Sequence, residues 1–98
     1  MKIEDGDIVI VILHSPREKL VGIVQEIGIS GVFVRGIELG FFDEWSNSIA
    51  AGDPYLDMSD YFFPMWRVER IMHDDSGEGM PSMAERFRDR TGREFTNF

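Results

Sequence analysis

Apolar residues gather into short blocks along most of the chain, and glycine- and aspartate-bearing turns separate the blocks. The densest block is Ile8-Val9-Ile10-Val11-Ile12-Leu13, in which five of six residues are β-branched. It is too short for a stable helix and does not alternate, so it predicts a strand covered on both faces. The polar stretch Glu4-Asp5-Gly6-Asp7 precedes it, and His14-Ser15-Pro16-Arg17-Glu18 follows with hairpin turn chemistry. Lys19–Ile27 predicts a second strand in which Gly22 marks a bend. After the turn Gly28-Ile29-Ser30-Gly31, residues Val32–Leu39 predict a third strand, interrupted by Gly36. Val32 and Val34 share a face while Ile37 and Leu39 fall out of phase with them. A one-residue bulge near Gly36 is therefore expected to bring all four inside.

From Phe41 the period changes. Phe41, Trp45 and Ile49 recur every four residues with polar residues between them, which predicts an amphipathic helix over about 41–52, stopped by Gly52 and Asp53-Pro54. Tyr55 to Asp60 reads as loop. Tyr61-Phe62-Phe63 resumes strand character, Pro64 interrupts it, and Met65–Met72 reads as a fifth strand with Trp66, Val68 and Arg70 on one side. The acidic, glycine-bearing run from His73 to Gly79 reads as a flexible connection. Ser82-Met83-Ala84-Glu85 matches a capping box, so a last helix is expected to start at Met83, carry Met83 and Phe87 on one face and end near Gly92. The pattern predicts a mainly β fold: a small, strongly bent five-stranded antiparallel barrel over residues 1–75, with a helical insertion between strands three and four. Residues 76–98 form the connection and a C-terminal helix, and the order of Phe95 and Phe98 does not follow from the pattern.

Several segments together resemble an uncharacterised family of small bacterial proteins with an Sm-like small β-barrel. They are Leu13-His14-Ser15-Pro16-Arg17-Glu18-Lys19, Arg35-Gly36-Ile37-Glu38-Leu39 with Phe42-Asp43-Glu44-Trp45, Phe62-Phe63-Pro64 leading to Arg67-Val68-Glu69-Arg70-Ile71, and Pro81 to Phe87. The resemblance implies the Sm-like architecture, a group that includes ring-forming RNA binders, and fold alone does not carry function. The turn Gly28-Ile29-Ser30-Gly31 lacks the Asp and Asn that RNA-binding members place there.

Charge narrows the possible partners. Ten Lys and Arg against eighteen Asp and Glu give −8, which argues against a duplex-binding surface or an anionic-membrane binder. No membrane or DNA partner is expected. The longest apolar run is far short of a membrane span, and the N-terminus does not read as a signal peptide, so a cytoplasmic location is expected. Cysteine is absent, which removes disulfides, thiolate metal sites and a cysteine nucleophile. His14-Ser15 has no Gly-x-Ser-x-Gly elbow around it, and no phosphate-binding glycine loop occurs. His73-Asp74-Asp75 and Asp5-Gly6-Asp7 lack calcium-loop or zinc spacing. Neither catalysis, a cofactor nor a metal is expected.

Residues 36–66 contain six acids and no Lys or Arg, whereas residues 85–94 carry four Arg against three acids. The Asp89-to-Arg93 spacing suggests a solvated helix with internal salt bridges; the alternative, and the leading interaction hypothesis, is that this helix, bearing Met83, Phe87 and these arginines, docks on the acidic insertion of the same or a neighbouring chain. Arg35, Arg67, Arg70, Arg86 and Arg90 are the candidate partner-binding residues, with ion pairing to nearby acids such as Glu38 and Glu69 as the structural alternative. Phe62, Phe63, Trp66 and the doubly apolar first strand exceed the needs of one small core. That surplus predicts edge pairing into a homo-oligomer, and a non-catalytic interaction or assembly module as the function. The alternative is an Sm-like RNA binder using Arg35, Arg67 and the tail arginines, disfavoured by acidity. A third reading places a small ligand beneath the aromatic helix, against Phe41, Trp45 and Tyr61.

Overall fold

The computed structural model describes residues 2–54 and 56–98, so Tyr55, at the start of the expected loop, lies outside the described residues. Five strands run β1 (Ile8–Leu13), β2 (Glu18–Ile27), β3 (Gly31–Glu38), β4 (Ser59–Pro64) and β5 (Val68–His73). Helix α1 (Phe42–Ala50) joins β3 to β4, and α2 (Met83–Thr91) follows β5. The strands form one antiparallel sheet in the order β4-β3-β2-β1-β5. β4 and β5 are its two ends and do not pair with each other, so the ladder stays open where a closed barrel was expected.

Two cores lie on opposite faces of this sheet. The first gathers Val9, Val11 and Leu13 of β1, Leu20 and Val24 of β2, Val32 and Val34 of β3, and Phe63 of β4, with Val68 and Ile71 of β5 against them. Residues from every strand meet there, which requires the sheet to curl. The second core holds Val21, Phe42, Trp45, Ile49, Met58, Phe87, Phe95 and Phe98, with Ile8, Ile10, Ile23 and Ile37 packed against it. β1 is thus apolar on both sides because each side meets a core. Its second face is covered by α1, α2 and the residues after α2, all from the same chain.

Gly22 of β2 lies opposite Gly36 of β3. A Cβ on Gly22 would fall 2.6 Å from the Arg35 carbonyl oxygen, and one on Gly36 would fall 2.5 Å from that of Val21. No other residue type allows the two strands to approach this closely. The expected bulge at Gly36 is not there; the register of β2 against β3 shifts between Val24 and Glu26 instead. Ile37 needs no bulge, because it belongs with Phe33 and Arg35 on the second face, where the α1 end of the sheet is covered.

Two further expectations are corrected. A 3-10 turn over Leu39–Phe41 precedes α1, so Phe41 lies outside the helix and is 55% exposed, while Phe42 takes the inward place ahead of Trp45 and Ile49, which face the core as expected. Met65–Arg67 is a 3-10 turn rather than part of strand five, and it presents Trp66 to solvent. The turn is tied at both ends, since the Met65 amide donates to the Ser30 carbonyl and the His14 amide to the Arg67 carbonyl, both at 2.9 Å.

α2 begins where the pattern predicts. The Glu85 amide donates to Ser82 Oγ (3.1 Å) and the Ser82 amide to Glu85 Oε1 (3.3 Å), completing the capping box. Gly92 ends the helix in the left-handed conformation, φ 73°. Phe95 and Phe98 are buried against Trp45 and Phe87. Among the described residues no helix is long and apolar enough to cross a membrane.

Candidate functional site

The protein's own acids and carbonyls engage all five candidate arginines, four of them closely and Arg70 loosely. Arg35, on β3, donates through Nε to the Phe98 main-chain oxygen (3.0 Å) and through Nη2 to the same atom, while Nη1 reaches Asp60 at 3.2 Å. The Met58 amide donates to that oxygen as well, at 3.2 Å, so the fork locks the chain after α2 onto the sheet. Arg67 staples the β1–β2 turn: Nη2 donates to Glu18 Oε1 (2.8 Å) and the Pro16 carbonyl (2.9 Å), and Nε to the His14 carbonyl (3.3 Å). Asp60 and Glu18 are therefore the counter-ions of Arg35 and Arg67; of the two acids expected near the barrel arginines, Glu69 pairs with Arg70, and Glu38 shows no ion pair among the described residues.

Arg86 and Arg90, one turn apart on α2, converge on Asp43 of α1 at 3.5 and 2.9 Å. Arg90 also donates to the buried Ser46 Oγ at 2.6 Å. The basic helix does dock on the acidic insertion, and it does so within one chain. Arg70 is held most loosely: its ion pair with Glu69 is 3.7 Å long and its side chain is 60% exposed.

The acidic turns flanking the body have local duties. His73 Nε2 lies 3.1 Å from Asp7 Oδ2. The Glu4 amide, and then His73, hold the Asp7 carboxyl below its ordinary pKa. Asp74 caps α2 from outside the helix, accepting the Met83 and Ala84 amides at 2.8 and 2.9 Å. Glu85 is likewise lowered, chiefly by the Ser82 amide. His14 Nδ1 lies 3.1 Å from Ser15 Oγ, both exposed, and among the described residues no carboxylate orients the ring.

Two surfaces remain uncommitted. On the second face, beyond the cover of α1 and α2, Phe33 and Phe62 are register partners whose rings lie 4.8 Å apart, and both are nearly half exposed. Trp66, 65% exposed, sets its ring edge-on to His14.

The second surface is a groove of about 260 Å³ beside α1, lined by Ile37, Phe41, Glu44, Trp45, Ser48 and Leu56. It holds Phe41 and Trp45 of the expected ligand site but not Tyr61, which stacks on Phe63 against the other core. The 3-10 turn before α1 turned Phe41 outward into the groove wall, a displacement invisible in the four-residue period.

The sequence matches no family model, and no similar curated protein or solved structure is found.

Proposed function

We propose that this protein is a non-catalytic, cytoplasmic interaction or assembly module that works as a homo-oligomer through the edges of its sheet, which we read as an Sm-like small barrel. The supporting observation is the pair of free edges. β4 has only β3 beside it and β5 only β1. Each is six residues long, and each carries an exposed apolar residue, Phe62 or Met72, on the face away from the first core. Unpaired main-chain groups beside exposed apolar side chains are the condition under which strands of two copies add to one another. A β4-to-β5 contact is heterologous and closes into a ring if its rotation permits.

Light scattering over a range of concentrations tests this reading. The expected result is a multiple of the 11.3 kDa chain mass, reduced to the single-chain mass by Phe62→Lys with Met72→Lys. A single-chain mass for the unmodified protein at every concentration overturns it.

A further inference from the structure

The three sides of α1 have different neighbours. Phe42, Trp45 and Ile49 face the second core, and Asp43 and Ser46 face α2. Phe41, just before the helix, and Glu44, Trp45 and Ser48 within it wall the groove, which Ile37 and Leu56 complete. At about 260 Å³ the groove is smaller than the roughly 300–1,000 Å³ of small-molecule pockets. It has room for one large side chain and not for a nucleotide or an extended cofactor.

Its electrostatic character is one-sided. Glu44 stands in the wall and Asp57 follows Leu56; among the described residues neither has an ion-pair partner. No Lys or Arg occurs between positions 36 and 66. The nearest arginines of α2, Arg86 and Arg90, are engaged by Asp43 on another side of α1.

We propose that this groove binds a short basic peptide segment. One apolar or aromatic side chain seats against Phe41, Ile37 and Leu56, and a flanking Lys or Arg pairs with Glu44. The apolar walls supply affinity, and the acidic rim selects the sign of the partner. This inference does not depend on edge pairing, since the groove lies beside α1 and the free edges belong to β4 and β5.

Trp66→Phe leaves Trp45 as the sole tryptophan, so its emission reports on the groove. The probe is the blocked peptide Arg-Arg-Phe-Arg-Arg, compared with Glu-Glu-Phe-Glu-Glu, Arg-Arg-Gly-Arg-Arg and benzyl alcohol. The expected result is a saturable emission change with the first peptide, binding at least about tenfold weaker for the other two peptides, and no saturation with benzyl alcohol. Phe41→Ser and Glu44→Lys alter exposed positions and are expected to abolish the response while circular dichroism stays unchanged; Ser48→Arg provides a second way to block the groove. The proposal is overturned by no saturable change with the basic peptide, by equal binding of the acidic one, by saturation with benzyl alcohol (a small-molecule pocket instead), or by a response that survives all three substitutions. Light scattering on the same samples reports edge pairing separately.

Discussion

Arg90 on α2 and Asp43 on α1 are joined at 2.9 Å, and the same guanidinium nitrogen donates to Ser46 Oγ, whose hydroxyl is buried and itself donates to the Phe42 carbonyl at 2.8 Å. The cation is thus fixed to a surface acid on one side and to a buried hydroxyl on the other. Asp43 is largely exposed, so its ion pair is weak, whereas a charge-assisted bond to a buried hydroxyl is stronger.

Substitutions at this junction are expected to differ accordingly. Arg90→Ala should destabilise the protein by about 1–3 kcal/mol, and Asp43→Asn by less than about 1 kcal/mol. Urea titrations followed by far-UV circular dichroism measure both. Equal losses would show that the ion pair, and not the Ser46 contact, fastens α2.

The second core rests on aromatic contacts between α1 and the residues from 83 onward. Phe87 is fully buried and stacks on Trp45 with ring centroids 5.1 Å apart. Phe87→Ala is expected to cost about 3–5 kcal/mol and to red-shift Trp45 emission as water reaches the indole. Phe33→Ser, at a nearly half-exposed ring, is expected to cost far less. Thermal melts of the two variants side by side check the ranking.

The crease between β2 and β3 has no room for a methyl group at Gly22 or Gly36, because the obstructing atoms include main-chain carbonyls that cannot rotate away. Gly36→Ala is expected to destabilise by about 1–3 kcal/mol or more, while Gly28→Ala, with nothing within 4 Å of the added carbon, leaves the melting temperature almost unchanged.

Acid should loosen the caps before the cores. Glu85 and Asp7 have folded-state pKa values depressed by amide donors. Their stabilising effect is present above the unfolded carboxylate values, about 3.9 for Asp and 4.3 for Glu, and disappears as pH falls through the lower folded values. Glu85→Gln should flatten this part of the stability profile between about pH 5 and 2. An unchanged slope would show that the capping carboxylate is not the group titrating.

With Arg35, Arg67, Arg86 and Arg90 held by intrachain acceptors, oligo-U and oligo-A are expected to pass unretained at low ionic strength, because phosphate binding depends on free cations. Retention that weakens steeply with salt would revive the RNA-binding alternative.

Local chemistry was legible in the letters. The β-branched run 8–13 specified a strand buried on both sides, Ser82 and Glu85 specified where α2 starts, and Gly92 where it stops, since strand period and capping involve only residues within a turn or two of each other. Gly22 and Gly36 stood out as interruptions of their strands, though not as register partners whose close approach leaves no room for a Cβ. The tertiary structure alone decided that the second side of β1 is filled by Phe87, Phe95 and Phe98 of the same chain, and that Phe41 faces the groove while Phe42 faces the core. It alone also decided which acceptor holds each arginine. Arg35 and the Phe98 oxygen it grips are 63 positions apart, and no periodicity reaches that far. An ion pair's partner is set by where the curled sheet and two docked helices bring charges together, which sequence spacing does not encode.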